Sequence, residues 1–295
     1  TVDLNAIEEY DDLYEEESQL IYERNKNSFF STKTQIRFRP FLASRESFFK
    51  GALLLENDSE YVVRDNLLIN TNLKYSLANN FDDLRFPPVD KFPAQVRSDV
   101  KQYLKNMDEG LLIGRAQADY FISPYKNHHL MFTGGILEDM FSGYGLEYLY
   151  FRHKTNYAIG FEIFNVKKRD YNWGFGTLDY QNTIANINFY YRNYGSIPFD
   201  LKLSAGEYLA GDVGTTLELS RTYENGMRFG VFASFTDVTS DQFGEGSFDK
   251  GIFWNIPVYG NLLSYSWRPL TKDPAAKINR RNTLYGLLVK FKDIN

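Results

Sequence analysis

The chain has 295 residues, a formal net charge of −5 and no cysteine. The lack of cysteine excludes disulfides and thiolate metal sites within the sequence, and the small negative charge argues against a nucleic-acid partner. Hydrophobic residues make up 43% of the chain and aromatic residues 17%. Even so, no apolar run reaches the roughly 18 residues that a membrane-spanning helix needs.

Two segments differ in composition. Residues 1–30 include an acidic stretch from Asp3 to Glu17, for which we expect a solvated segment or a short helix. The chain begins at Thr1, without an initiator Met or a signal peptide, as expected of a processed or trimmed chain. Residues 31–295 are predicted to form a single domain.

Apolar and polar side chains alternate through most of residues 31–295. In Leu67–Leu77 the odd-numbered residues are apolar apart from Thr71, and the even-numbered ones are mostly Asn, Lys and Ser. The same alternation returns in Met227–Phe235. Successive side chains of a strand point to opposite faces, so each such strand has one apolar and one polar face.

The alternation predicts about 14 strands, within a range of about 12 to 16, because strand boundaries are the least certain part of such a prediction. The predicted strands are 31–42, 48–57, 60–78, 111–123, 128–138, 143–153, 156–168, 182–193, 199–209, 212–223, 227–237, 250–259, 262–270 and 283–293.

The connections between these strands alternate in length. One end of the predicted sheet takes the short turns, which are Asp58, Pro124–Asn127, Lys154–Thr155, Tyr194–Pro198, Glu224–Gly226 and Gly260–Asn261. The other end takes the long connections, which are Asn79–Gly110, Arg169–Gln181, Val238–Asp249 and Thr271–Asn282, although its connections near Ser142 and Gly211 are short. Short periplasmic turns opposite long external loops are typical of outer-membrane barrels. The sequence therefore predicts an all-β, antiparallel transmembrane β-barrel at 31–295, located in the bacterial outer membrane.

One short helix is predicted within the longest loop, at Pro93–Asn106. Pro93 suits the first turn of a helix, and Val96, Val100, Tyr103 and Leu104 share one stripe. We expect this helix either to constrict the barrel mouth or to pack as an inert helix on the loop.

The parity of the alternation assigns polar and aromatic side chains to the lumen. The assigned residues are Arg37, Arg39, Lys74, Arg115, Asp119, Glu147, Glu162, Asn186, Asn188, Tyr190, Arg192, Lys202, Glu218, Arg228 and Arg268. Mixed charges, amides and inward rings such as Phe253 suit a path for a hydrated polymer or solute. The alternative is that paired charges merely fill a closed barrel.

Sequence motifs of enzymes and metal sites are absent: there is no G-x-S-x-G, no Gly-rich phosphate loop and no H-E-x-x-H. The acidic loop that contains Asp237, Asp241, Glu245 and Asp249 offers carboxylates to calcium. Its spacing matches no EF-hand, and solvated carboxylates are the preferred interpretation. We therefore expect no catalytic residue, no metal and no cofactor.

Six strings of the sequence resemble, in order, the YjbH/GfcD family of outer-membrane proteins, which is tied to exopolysaccharide and group 4 capsule production. The strings are Phe92–Leu104, Gly134–Glu147, Val166–Asp170, Tyr208–Asp212, Phe243–Gly251 and Trp267–Thr271. The resemblance runs from about residue 31 to the end and is to the C-terminal half of family members, whose N-terminal half is expected to form another barrel.

The resemblance implies a protein that contacts outer-membrane lipids, a polysaccharide and other envelope proteins of polysaccharide secretion, with a missing N-terminal barrel half as a further partner. The shared strings fall mostly at strand ends and loops, where we expect a constriction or docking surface. The charged residues there are Glu138, Asp139, Arg169, Asp170, Glu245, Asp249 and Lys250.

The leading hypothesis is a non-enzymatic, porin-like barrel that takes part in export or assembly of an exopolysaccharide or capsule. A second hypothesis is a structural barrel that only anchors or docks an envelope secretion complex. The least favoured hypothesis is a barrel-embedded hydrolase.

Overall fold

The structure, a computed structural model, describes residues 29–42, 49–85, 96–152, 155–239, 248–257, 264–267 and 275–292. In these residues thirteen strands form one antiparallel sheet, and each strand pairs with the next along the chain. The strands are β1 Phe29–Leu42, β2 Phe49–Arg64, β3 Leu67–Asn79, β4 Leu111–Tyr125, β5 His128–Ile136, β6 Phe141–Phe151, β7 Tyr157–Arg169, β8 Thr177–Asn193, β9 Phe199–Glu207, β10 Val213–Thr222, β11 Arg228–Thr236, β12 Asp249–Pro257 and β13 Ser264–Trp267. β1 and β13 are the edges of the sheet, and no ladder joins them within the described ranges.

The two faces of the sheet are sorted as the alternation predicts. On β8, Ile187 is 60% exposed, whereas its neighbours Asn186 and Asn188 are 3% and 4% exposed. A water-soluble sheet would bury the apolar set instead, because hydrophobic burial is the main force that drives folding. An apolar outer face is stable when it meets lipid hydrocarbon. The predicted all-β transmembrane barrel class is confirmed, with a strand count inside the predicted range.

The sheet curls around a shared interior. Buried side chains from the inward faces of β2, β4, β6, β7 and β8 meet in one cluster that includes Leu54, Leu112, Phe141, Phe164 and Ile184. Such distant strands of one meander make contact through a common core only when the sheet is strongly curved. The interior of the barrel is therefore filled in this region.

Connections at the two ends differ in length. Tight turns such as Asp65–Asn66, Lys126–Asn127 and Glu224–Gly226 lie at one end, which we call the hairpin end. The connection between β3 and β4 and that between β7 and β8 lie at the opposite end, which we call the loop end.

Among the described residues, two α-helices accompany the sheet: α1, Val100–Lys105, which a 3₁₀ turn at Asn106–Asp108 follows, and α2, Leu284–Lys292. In the described part of the chain, neither is long and apolar enough to cross a membrane. α1 confirms a helix in the β3–β4 loop, although it is shorter than the predicted 93–106, of which residues 93–95 lie outside the described ranges. Val96, Tyr103 and Leu104 are buried, as the predicted stripe requires.

The predicted turn at Asp58 is wrong, and so are the predicted strands 48–57 and 60–78 that flank it. β2 runs without a break through Asp58, which pairs with Lys33 on β1, and the turn lies at Asp65–Asn66. Asp58 tolerates a mid-strand position because Arg37 and Asn72 hold its carboxylate on the inward face, at 3.5 Å and 2.7 Å. An acidic residue in a strand is thus no evidence for a turn when its inward neighbours pair with it.

The predicted strand 283–293 is also wrong, since this segment forms α2 and lies inside the barrel. The apolar residues at 285, 287, 289 and 291 satisfy the period of a strand, whereas those at 284, 285, 287 and 288 satisfy that of a helix. The hydroxyl of Thr283 accepts a hydrogen bond from the backbone N–H of Gly286 at 3.1 Å, which is an N-terminal cap. Thr283 followed by the i, i+4 pair Leu284 and Leu288 is the helix signal that the strand interpretation overlooked.

Candidate functional site in the barrel interior

The segment Ala275–Lys292, here called the inner segment, runs lengthwise through the barrel interior. At the loop end, the backbone N–H of Leu209 donates to the carbonyl of Ala276 at 2.9 Å, and the backbone N–H of Ala275 donates to Asp212 at 2.7 Å. Farther along, Leu284 and Leu288 pack with Phe151, at the hairpin end of β6. The inner segment therefore connects the two ends of the barrel.

Arg280 fixes the inner segment to the wall at mid-height. Its guanidinium lies 2.9 Å from a carboxylate oxygen of Glu147 on β6 and 2.5 Å from one of Glu162 on β7. The side chains of Arg280 and Glu147 are 4% and 5% exposed. Glu147 also accepts the backbone N–H of Leu284 at 3.1 Å, so one buried carboxylate holds both a cation and the start of α2.

A second polar contact holds the inner segment to β4 through Asp119, whose side chain is fully buried. Asn282 donates to Asp119 at 2.8 Å, and Gln117 and Thr133 donate to it at 2.7 Å and 2.8 Å. A buried carboxylate is costly unless several donors satisfy it. Gln117 and Thr133 therefore hold the carboxylate of Asp119 in place to accept the hydrogen bond from Asn282.

The helical part of the inner segment packs through an aromatic pair. The ring of Tyr285 stacks on that of Tyr190 on β8, with centroids 3.9 Å apart and planes 11° apart. Tyr190 belongs to a buried cluster with Leu149, Leu284 and Leu288. The ring of Tyr190, which the sequence assigns to the lumen, is thus covered by Tyr285 of the same chain.

At the loop end, α1 and the β5–β6 and β7–β8 connections pack together over the interior and form what we call the cap. The hydroxyl of Tyr103 donates to the carbonyl of Arg169 at 2.6 Å, and the indole N–H of Trp173 donates to the carbonyl of Tyr103 at 2.8 Å. Asp99, just before α1, pairs with Lys168 on β7 at 2.6 Å. α1 therefore folds inward and is not an inert surface helix.

Arg169 binds four backbone carbonyls of the cap. Its guanidinium donates to Glu138 and Asp139 at 3.0 Å each, to Trp173 at 2.8 Å and to Gly174 at 2.9 Å. The planar fork of five N–H donors makes such a contact possible, and an ammonium cannot reproduce it. Arg169 joins the β5–β6 connection to the β7–β8 connection.

Glu138 ties the cap to the inner segment. A carboxylate oxygen of Glu138 lies 2.7 Å from the guanidinium of Arg97, and both side chains are 6% exposed. The same carboxylate accepts the backbone N–H of Asn279 at 3.0 Å, while Arg97 donates to the carbonyl of Lys277 at 2.7 Å. The cap and the inner segment thus form one hydrogen-bonded unit.

Asp139, next to Glu138, accepts two cations from the sheet. Lys74 on β3 and Arg39 on β1 lie 2.6 Å and 3.0 Å from its carboxylate. Burial alone would raise the pKa of Asp139, but Lys74 and Arg39 outweigh it and hold this pKa well below its ordinary value. Asp139 is therefore ionised at neutral pH and links the cap to β1 and β3.

The structure brings together many of the predicted interior residues. Fourteen of them form hydrogen bonds, ion pairs or ring contacts with inward-facing side chains, with a backbone carbonyl or with the inner segment: Arg37, Arg39, Lys74, Arg115, Asp119, Glu147, Glu162, Asn186, Asn188, Tyr190, Arg192, Lys202, Glu218 and Arg228. Arg268 lies outside the described residues.

The predicted loop residues separate into two groups. Glu138, Asp139 and Arg169 meet in the cap, as described above. Asp170 instead binds within its own connection, where it accepts from the backbone N–H of Tyr171 at 2.7 Å. Asp249 and Lys250 begin β12 beside β11 and do not enter the cap, and Glu245 lies outside the described residues.

Sequence reasoning missed the residues that the inner segment supplies. The sequence analysis places Arg280 and Asn282 in an external loop, because that stretch shows no periodicity, and Tyr285 on an outer strand face, because its stretch also fits the period of a strand. Two adjacent arginines, Arg280 and Arg281, after a long connection were the available signal. In the described part of the chain, no group of His, Cys, Asp and Glu side chains could hold a metal ion.

Residues 3–290 match the family described as YjbH, exopolysaccharide biosynthesis protein. The chain belongs to the YjbH family. It is 30% identical over 254 residues to a protein of Escherichia coli (strain K12) named uncharacterized lipoprotein YjbH, and the match covers 82% of this chain and 36% of that protein. The chain thus spans about a third of the length of this relative.

A similarity to a solved structure is weaker. OmpTdeltaL8, a loop L8 deletion mutant of the Vibrio cholerae outer membrane protein OmpT, overlaps 78% of this chain and 87% of its own, with 12% identity and a TM-score of 0.34. That overlap is too loose to support an argument. The apolar outer face described above, together with the family, agrees with the predicted location in the bacterial outer membrane.

Proposed function

We propose that this chain is a non-catalytic outer-membrane barrel that takes part in the export or assembly of an exopolysaccharide. The family supports the polysaccharide, and the polar, inward-facing set of side chains supports contact with a hydrated polymer. The observation that carries the proposal is the inner segment, because Arg280 fixes it between Glu147 and Glu162 on the inner wall. A barrel held in this way has a closed state that a polymer or partner can change.

In this proposal the barrel is a porin-like conduit with a resting, closed state. The inner segment moves away from β6 and β7 when the polymer passes, and energy for transport comes from other envelope proteins of polysaccharide secretion. The contacts that hold the inner segment are hydrogen bonds, ion pairs and side-chain packing, such as those of Arg280, Asn282 and Tyr285, and none of them belongs to the strand ladders of the sheet. Such contacts can break and re-form without unfolding the sheet.

One observation favours a second candidate function, that of a structural barrel that docks a capsule or exopolysaccharide secretion complex. The cap buries Arg97, Glu138 and Arg169, whose side chains bind carboxylate and carbonyl oxygens or backbone N–H groups of neighbouring segments, as in a permanently closed structure. In this case the inner segment stays in place throughout secretion, and the loop end is the docking surface.

A cross-link between the inner segment and the wall distinguishes the two functions. Residues 1–295 contain no cysteine, so Tyr190→Cys with Tyr285→Cys provides the only two thiols of this sequence, and both lie at the stacked pair. A short bis-maleimide applied to cells that depend on the full-length protein joins them. The measurement is the amount of polysaccharide released into the medium, and the single-cysteine variants treated in the same way are the matched controls.

A conduit predicts that release stops in the cross-linked double variant and continues in both controls. Normal release from fully cross-linked protein would overturn the conduit and support the docking barrel. Normal release from cells that lack the protein altogether would overturn both functions.

A further inference from the structure

The ion pairs of the interior wall at β1 and β11, here called the uncovered wall, share one asymmetry: the guanidinium is more exposed than its carboxylate partner. The Arg37 side chain on β1 is 54% exposed, while its partners Glu56 and Asp58 are 10% and 22% exposed. On β11 the Arg228 side chain is 44% exposed, and that of its partner Glu218 is 13% exposed. A molecule that approaches this wall therefore meets guanidinium groups before it meets carboxylates.

Cations also outnumber carboxylates in the charged cluster between β1 and the inner segment. Six cations and four carboxylates act on one another there: Arg37, Arg39, Lys74, Arg97, Arg115 and Arg281 with Glu56, Asp58, Glu138 and Asp139. The whole chain has a net charge of −5, so this positive cluster runs against the overall sign. Walls of low dielectric strengthen such a local field toward an entering ion.

The aromatic rings of the interior are covered. Tyr190 lies under Tyr285, and Phe253 is 7% exposed beneath the guanidinium of Arg228, which stands 5.6 Å from the ring centre. A path suited to a neutral polysaccharide would offer exposed ring faces to the apolar faces of sugars. On the uncovered wall the guanidiniums of Arg37 and Arg228 are exposed instead.

We infer that the polymer that this interior binds is an anionic polysaccharide, with carboxylate or phosphate groups that contact Arg37, Arg228 and Arg281. This inference rests on the proposed function and specifies its substrate class. A guanidinium presents its N–H groups in a fork that fits carboxylate and phosphate oxygens. Glu56 and Asp58 orient the guanidinium of Arg37, and Glu218 orients that of Arg228. The N–H groups of these guanidiniums that face away from the carboxylates stay accessible to a ligand.

The test is binding of two polymers of matched length to the purified full-length protein in detergent at fixed ionic strength. Polygalacturonate is the anionic probe and dextran the neutral one. The variants are Arg37→Gln with Arg228→Gln, and Arg37→Lys with Arg228→Lys. Arg221→Gln is the matched control, because Arg221 lies on the outward face of β10, beside the ring of Tyr223.

We expect wild-type protein to bind polygalacturonate at least tenfold more tightly than dextran, with an affinity that falls as salt is added. The double Gln variant loses about tenfold of this affinity, equivalent to about 1.4 kcal/mol, whereas the Arg221→Gln protein keeps it. The double Lys variant retains more affinity than the double Gln variant because it keeps the charge.

Equal binding of dextran and polygalacturonate by the wild-type protein would overturn the inference, and this comparison requires no variant to fold. An equal loss in the Arg221→Gln protein would also overturn it, since the effect would then reflect the outer surface. Either result leaves the proposed function intact if secretion still requires the protein. The inferred substrate class and the proposed function can therefore fail separately.

Discussion

Two parts of the interior wall share the same alternation of apolar and polar residues but differ in what their inward side chains contact. On β4 to β8, the inner segment covers Asp119, Glu147 and Tyr190, which are buried and bound to it. On β1 and β11, Arg37 and Arg228 are roughly half exposed and, among the described residues, pair with neighbouring strands only. Inward polar residues therefore have two different roles: those on β4 to β8 bind the inner segment, and those on β1 and β11 are exposed to solvent.

The largest effect that separates the two parts is expected from Arg280→Met. The substitution leaves Glu147 and Glu162 buried without their cation, and loss of one partner of a buried pair costs about 3–5 kcal/mol. The inner segment should leave the wall while the sheet stays folded. Limited trypsin digestion in native membranes should then cleave near Lys277 much faster than in the wild-type protein.

The neighbouring Arg281 supplies the control for that experiment, since it has the same charge and is exposed. Arg281→Met should leave the digestion rate close to that of the wild-type protein. Equal acceleration by both substitutions would show that Arg280 does not fix the inner segment.

An intermediate effect is expected from Arg169→Lys in the cap. Lysine cannot donate to four carbonyls in one plane, and hydrogen bonds that involve charged groups are worth about 1.5–3 kcal/mol each. We expect the cap to lose on the order of 3 kcal/mol of stability, measured as faster hydrogen exchange of the amides at 170–176. Arg152→Lys, an exposed site next to the hairpin end, should change nothing, and unchanged exchange in Arg169→Lys would refute the role of Arg169.

Small effects on stability are expected on the uncovered wall. Arg228→Gln removes an ion pair whose cation is exposed, and such pairs contribute at most about 1 kcal/mol. The midpoint of urea unfolding should therefore stay within error of the wild-type value. A loss comparable to that of Arg280→Met would erase the distinction between the two parts of the wall.

The smallest effect is expected from mild acid. Because Lys74 and Arg39 lower the pKa of Asp139 below its ordinary value of 3.8, the stabilisation from Asp139 is complete above that value. It is lost only as the pH falls from there toward the lower pKa of the folded state. Hydrogen exchange in the cap, corrected for intrinsic rates, should be equal at about pH 7 and about pH 5 and should rise only in stronger acid. Asp139→Asn should remove this acid step, and a step near neutral pH would contradict the assignment.

The sequence alone predicts the sheet well, because each strand repeats the same two-residue period and lipid imposes it on every strand. Ile187 and Asn188 show this: their orientation follows from parity without knowledge of any neighbour. The interior is harder, since the contacts of Arg280 and Asn282 depend on a segment that is distant in the chain. The apolar positions of α2 fit a strand as well as a helix. The N-cap residue Thr283, followed by the i, i+4 pair Leu284 and Leu288, is the signal that distinguishes the helix.

The same limit explains the cap. Glu138 and Arg169 attracted attention as charged residues at strand ends, but their partners are Arg97, the backbone of Asn279 and carbonyls of other connections. Long-range pairing of this kind leaves no periodic trace. Asp170, one residue from Arg169, has the same local context but binds Tyr171 and Asn172 of its own connection instead.

The most direct test of a threaded inner segment is the rate at which single cysteines react with a water-soluble maleimide in native outer membranes. Leu284 is 2% exposed and Arg281 is exposed, only three positions away. We predict slow labelling of Leu284→Cys, fast labelling of Arg281→Cys, and fast labelling of Leu284→Cys once Arg280→Met is added. Equal, fast labelling at both positions in the otherwise wild-type protein would contradict the account, because the inner segment would then not lie against the wall.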